Sequence, residues 1–257
     1  MAVLLVVVAV LDGASLPARG DDWPQWMGPG RDGVWRETGI VKAIPAAGLP
    51  VKWRVEVKGG YSGPAVAGGR VYLLDYERRE GDVANSPSDR TTLAGRERVL
   101  CLDAATGRVI WSKDFQKDYA APTPLWGLCG HPLVDGNRLF CLVGGEGSVA
   151  VAFDKDTGRE LWRALSASES GYCPPSIIES AGVRQLVIWD ADKLNALDPA
   201  TGGLLWSQPL KPAYGMSIMA PRVAATRQGQ VLFASGIGRV GALYTLAADK
   251  PVSQSQP

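Results

Sequence analysis

The sequence predicts an all-β fold of repeated four-stranded sheets, and three observations predict it. One short pattern occurs three times, as "DAATGRVIW" at 103–111, "DKDTGRELW" at 154–162 and "DPATGGLLW" at 198–206. Pairs of short apolar runs, each entered through proline, recur between these copies. The 257 residues also include 31 glycines, 18 prolines and nine tryptophans, which supply many turns and large apolar anchors.

Taken in chain order, the first element is the apolar stretch in "MAVLLVVVAVLDGASLPARG". It is too short to span a bilayer and is followed by small residues, so residues 1–20 are expected to be a secretory signal peptide, although a positive n-region is missing. A buried first strand is the alternative. Export places the mature chain in the periplasm or outside the cell. No cysteine closely follows the apolar stretch, so no lipid anchor and no transmembrane span of the mature chain are expected. Residues 21–50 read as an irregular lead-in.

Residues 51–249 carry the repeats. The Asp-to-Asp steps are 51 residues (Asp103 to Asp154) and 44 (Asp154 to Asp198), which is the spacing of propeller blades. "GPAVAGGRVYLLD", "HPLVDGNRLFCLV", "PPSIIESAGVRQLVIW" and "APRVAATRQGQVLFAS" each give proline, a short apolar strand, a turn and a second strand. A third strand ("RVLCLD" in the first copy) and a Trp-bearing fourth ("RVIWSKDF") complete each blade. Gly107, Gly158 and Gly202 supply the positive φ of the turn between them. Asp103, Asp154 and Asp198, with Thr106, Thr157 and Thr201, can satisfy turn amides that no ladder reaches. Trp111, Trp162 and Trp206 then wedge against the next blade, because a four-stranded sheet must stack on a neighbour to bury both faces. These residues are expected to be architectural: a catalytic group is needed once, a wedge once per blade.

Trp53 in "VKWRVEV" reads as a further docking tryptophan on an outer strand that lacks its inner three, and 250–257 reads as a tail or truncation point. The N-terminal strand could complete the last blade of a four-bladed ring, or about four blades could belong to a seven- or eight-bladed ring; the latter is the expectation. The polar run 77–98 reads as a solvated loop or partner-contact arm.

The Asp-x-x-Thr-Gly-x-x-x-Trp signature resembles the tryptophan-docking motif of the quinoprotein-like (PQQ-repeat) β-propellers. "DWPQWMGPGRDGVWRETGI" at 22–40 is similar to the lead-in of exported members of that group from environmental bacteria, and "GYCPPSIIESAGVRQLVIW" and "MSIMAPR" are similar to further segments. Each docking Trp is followed by Ser, Arg or Ser, not by the Asp of a WD repeat. The resemblance implies two functions. One is a non-catalytic binding scaffold like the propeller of the outer-membrane barrel-assembly machinery. The other is a PQQ-dependent alcohol or sugar dehydrogenase, or a fragment of one, with PQQ and calcium as cofactors. That enzyme group carries an Asp base, a Glu/Asn/Asp calcium site and often an adjacent cysteine pair. This chain has no adjacent cysteine pair and no clustered acidic and amide residues, so the scaffold is the expectation, with no cofactor and no catalytic residue.

The remaining motifs are weak. "GIGRVG" at 236–241 lacks the helix and downstream acid of a dinucleotide site and reads as a hairpin. "DKDTG" at 154–158 lacks the further acids of a calcium loop. A single histidine and no CxxC exclude a zinc cluster of the usual kinds. Cys101 and Cys141 read as core residues; Cys129 and Cys173 could pair or remain free. With 27 Lys+Arg against 26 Asp+Glu there is no basic surface for nucleic acid.

The candidate binding residues lie at the strand entries. "GYSGP", "LWGLCGHP", "GYCPP" and "AYGMSIMAP" each place an aromatic before an innermost strand. In a propeller these entries gather at one mouth of the central channel, where Tyr61, Trp126, Tyr172 and Tyr214, with His131, could form an amphipathic rim. The alternative is that they pack loops against blade edges. The expected partner is another exported protein or a small ligand.

Overall fold

Sixteen strands form four antiparallel sheets of four strands each in the computed structural model, which describes residues 20–80, 94–227, 229–247 and 253–255. The first sheet contains β1 (Ala65–Ala67), β2 (Arg70–Glu80), β3 (Ala94–Asp103) and β4 (Val109–Asp114). The second contains β5 (Leu133–Asp135), β6 (Arg138–Leu142), β7 (Ala150–Asp154) and β8 (Glu160–Ala164). The third contains β9 (Ser176–Ser180), β10 (Val183–Trp189), β11 (Lys193–Leu197) and β12 (Leu204–Pro209). The fourth contains β13 (Arg222–Thr226), β14 (Gly229–Gly236), β15 (Val240–Leu246) and β16 (Ser253–Ser255). Each sheet runs in sequence order, the meander of a propeller blade. The candidate signal peptide, apart from Gly20, lies outside the described residues.

Apolar side chains of successive sheets meet face to face. Tyr72, Val99 and Cys101 of the first sheet share a core with Leu139, Cys141 and Phe153 of the second. Phe140 and Ala152 meet Leu186 and Ile188 of the third, and Val187 and Trp189 meet Leu232 and Tyr244 of the fourth. Neither face of a middle sheet is left to water, which is why short strands suffice.

The repeated turns are nearly superposable in their hydrogen bonding. Asp103 Oδ1 accepts from the amides of Ala105 (3.1 Å) and Thr106 (2.9 Å) and from the Thr106 hydroxyl (2.8 Å). Asp154 repeats this set with Asp156 and Thr157, and these bonds hold both carboxyls below the usual carboxylate range. Asp198 accepts from the Ala200 amide at 2.7 Å. Each turn closes on its glycine, with Gly107, Gly158 and Gly202 at φ 72°, 71° and 74°. Glycine is needed there twice over, because a Cβ on Gly158 would lie 2.7 Å from the Trp111 ring, and one on Gly202 would lie 2.6 Å from Trp162.

The indoles follow one rule. Trp53 donates to the carbonyl of Ala104 (3.0 Å), Trp111 to Lys155 (3.0 Å) and Trp162 to Pro199 (3.1 Å). In every case the acceptor is the residue directly after the Asp of the next turn. Trp206 departs from it, donating to Gln185 Oε1 within its own sheet at 2.7 Å.

Three expectations from the sequence are corrected. Residues 51–58 form no strand, yet Trp53 still reaches the first turn; an indole can dock from a segment with no ladder beside it. Within 250–257, Ser253–Ser255 is a strand paired with β15, so the fourth position of the last sheet is not taken by the N-terminal segment. Ladder bonds use only the backbone, and "VSQSQ" therefore carries no apolar signal to read. The polar run 77–98 is strand at both ends: β2 extends to Glu80, β3 starts at Ala94, and 81–93 lie outside the described residues. Opposite charges directly across the ladder, Asp75 with Arg98 and Glu77 with Arg96, hold these polar strands together. The "GIGRVG" segment is the β14–β15 hairpin, with Gly238 and Arg239 at positive φ. All four cysteines are free thiols, including Cys129 and Cys173.

Candidate functional site

The innermost strands β1, β5, β9 and β13 are each entered through a short loop, and a cleft of about 630 Å³ is lined from all four loops. The first entry contributes Tyr61, Ser62 and Gly63, and the second contributes Trp126, Cys129 and His131. Tyr172 and Pro174 come from the third, Met216 and Ile218 from the fourth, and Trp26 from the lead-in.

The lead-in reaches the cleft because it is held on the inner edges of the sheets. Trp23 and Val66 of β1 exchange two backbone hydrogen bonds (2.8 and 2.9 Å), and the Val134 amide of β5 donates to the Pro24 carbonyl at 2.8 Å. Asp22 accepts from the Gly68 amide at 3.1 Å. Gly28, at φ 78°, then turns the chain so closely over Trp23 that a Cβ would lie 2.7 Å from the ring.

Hydrogen bonds between entries fix the cleft walls. The Tyr172 hydroxyl donates to Glu169 at 3.0 Å and is also bonded by the Trp126 backbone, and the Tyr172 amide donates to Ser217 in the fourth entry at 3.1 Å. The Cys129 thiol donates to the Trp126 carbonyl at 3.2 Å, and burial pushes it up to about 11, which disfavours the thiolate. The second entry is anchored from behind by Glu97, a buried carboxyl whose Oε1 accepts the Leu128 amide at 3.0 Å.

His131 is 6% exposed. Its ring is hydrogen-bonded to the Pro64 carbonyl, and its Nε2 is buried with no partner. Burial holds the imidazole down at about 4 and the ring is neutral at physiological pH. In contrast, Tyr61 is 84% and Trp126 42% exposed. The cleft therefore combines exposed aromatic rings with one buried imidazole.

Of the residues singled out from sequence, Tyr61, Trp126, His131 and Tyr172 come together on this cleft, and Tyr214 does not line it. Tyr214 sits in a 3₁₀ turn, Ala213–Gly215, with φ 59°, and the fourth wall is made by Met216 and Ile218 downstream. Sequence reasoning missed Trp26, Met216 and Ile218.

A quinone held by calcium does not fit these residues. Calcium takes six to eight oxygen ligands, whereas the cleft wall offers an imidazole, a thiol and a serine hydroxyl, and no carboxylate. Among the described residues no three histidine, cysteine or acidic side chains gather anywhere.

The family described as outer membrane protein assembly factor BamB matches residues 37–255, a span that takes in all four sheets. The chain belongs to that family. No curated protein matches this BamB-family chain. Among solved structures it is similar to a europium-containing methanol dehydrogenase, with 15% identity and a TM-score of 0.51 over 81% of this chain and 45% of that one. It is similar to the quinohemoprotein alcohol dehydrogenase from Comamonas testosteroni, with 16% identity and a TM-score of 0.50 over 77% of this chain and 35% of that one. BamB from Moraxella catarrhalis matches at 18% identity with a TM-score of 0.41, over 58% of this chain and 41% of that one. At these identities the likeness to the dehydrogenases concerns the propeller fold alone. The chain spans less than half the length of any of the three.

Two buried groups give the site opposing pH signatures. Burial pushes Glu97 up to about 7 from 4.5, so its proton is held more tightly in the folded chain, and stability falls as pH rises from 4.5 through 7. His131 is lowered from 6.5 to about 4, so stability falls as pH drops from 6.5 through 4. The two slopes oppose each other between 4.5 and 6.5. Urea unfolding across pH should show Glu97→Gln unmasking a rise in stability with pH and His131→Phe unmasking a fall, each on the order of 2 kcal/mol.

Proposed function

We propose that this BamB-family chain is a non-catalytic, exported scaffold that binds a protein or small ligand in the cleft at the strand entries. The observation that carries the proposal is that all four entries and the lead-in supply side chains to one aromatic surface. Export is supported by the apolar N-terminal stretch, and a protein or small ligand is favoured over nucleic acid by the near-balanced charge. Among the described residues no helix is long and apolar enough to cross a membrane.

The competing function, a PQQ-dependent dehydrogenase, is tested by adding PQQ and Ca²⁺ to the purified chain. The expected result is no stoichiometric quinone spectrum and no dye-linked alcohol oxidation. Appearance of both would overturn the scaffold reading.

A further inference from the structure

We infer that the open face of the fourth sheet, centred on Phe233 and Leu243, pairs with the same face of a second copy of this chain. The inference goes beyond the cleft and does not depend on what binds there.

Strand register says which side chains share a face. In β14, Leu232 and Ala234 pack with Val187 and Trp189 of the third sheet. Side chains alternate along a strand, so Phe233 points the other way. Its cross-strand partners, Arg222 on β13 and Leu243 on β15, stand beside it on that face. The other three phenylalanines of the chain are buried, whereas Phe233 is 49% and Leu243 38% exposed.

In each earlier sheet the same position is core. The first hairpin of every sheet closes on one pair: Ala67 with Arg70, Asp135 with Arg138, Ser180 with Val183 and Thr226 with Gly229. Counted from that pair, Phe233 falls where the first three sheets have Leu74, Leu142 and Val187. Those three are each at most 2% exposed, and each belongs to the apolar cluster shared with the following sheet. The fourth sheet thus presents, uncovered, the array that three times within the chain is covered by another sheet.

The indoles show that the cover is not a further sheet of this repeat. Trp111 of β4, Trp162 of β8 and Trp206 of β12 each join the cluster between their own sheet and the next. The fourth strand of the last sheet, β16, has no tryptophan with which to lock a following sheet. A flat apolar sheet face is matched by another of its kind, and a second copy brings one, since the equivalent faces of its first three sheets are already occupied. A two-fold axis then makes one patch complementary to itself and closes the assembly at two. Arg222, the charged member of the central row, turns aside to the lead-in, with Nη2 3.7 Å from Met27 Sδ, and leaves the middle of the face apolar.

Four strands about 4.8 Å apart and about six residues deep make a face roughly 20 Å square. Two such faces bury on the order of 1,000 Å², the lower end of specific interfaces. The expected dimer is therefore weak, with a dissociation constant of roughly 1–100 µM.

The test is sedimentation equilibrium of the full chain from about 1 to about 200 µM, where a monomer–dimer equilibrium is expected. Phe233→Asp and Leu243→Asp should each raise the dissociation constant about tenfold or more, with the parent's circular dichroism, because the interface would then bury a carboxylate. An equimolar mixture of Phe233→Asp and Phe233→Lys should associate more tightly than either variant alone, because a face that meets its own counterpart brings the two charges together. A chain that stays monomeric throughout overturns the inference and leaves the face to a different partner. A dimer that neither Phe233→Asp nor Leu243→Asp weakens overturns it as well. A dimer weakened by both, with no recovery in the mixture, overturns the self-pairing, since the face would then meet a different surface of the second copy.

Discussion

Trp162→Ala is expected to lower the unfolding free energy by about 3–5 kcal/mol, the range for emptying a buried Trp site. The ring is 9% exposed, lies 5.7 Å from Phe140 centroid to centroid, and closes on the glycine of the next turn. Its removal opens a cavity between the second and third sheets and leaves the Pro199 carbonyl without its donor. Trp53→Ala, at the same geometric station but approached by a segment that forms no strand, should cost less. Chemical denaturation of the two variants side by side measures the difference.

Arg98→Met is expected to cost about 3 kcal/mol or more at neutral pH, the usual penalty for stranding a buried charge. Asp75 is 1% exposed and receives Arg98 through two bonds, from Nη2 at 2.7 Å and from Nε at 2.9 Å. Without the guanidinium, its remaining protein donor is the Lys58 amide at 2.9 Å, and Glu97 is a second acid close by. The double variant Arg98→Met/Asp75→Leu should recover most of the loss, because replacing both partners removes the stranded charge. If the double variant is as unstable as the single one, the damage lies in packing and not in charge.

The blades were legible because their signals are local and repeated. Asp103, Thr106 and Gly107 satisfy one another within five residues, so the pattern survives in the sequence wherever the turn is needed. Trp111 could be paired with the next turn because the spacing recurs. The last strand was not legible, since Ser253–Ser255 joins β15 through backbone bonds. Nor were the ends of β2 and β3, whose charged residues read as loop until cross-strand partners such as Glu77 and Arg96 are known. Four of the five candidate residues, Tyr61, Trp126, His131 and Tyr172, come together on one cleft because each stands ahead of an innermost strand. The contribution of Trp26 depends on where Trp23 and Pro24 attach to β1 and β5, a long-range fact with no trace in local pattern.

The repeated turns hold the blades together, and the strand entries line the cleft. Chemical denaturation of Trp162→Ala beside Trp126→Ala separates these roles. Trp162→Ala should lose about 3–5 kcal/mol, and Trp126→Ala, whose ring is 42% exposed, should stay near the parent's stability. A Trp162→Ala variant as stable as the parent, or a Trp126→Ala variant destabilised to the same degree as Trp162→Ala, would contradict that division.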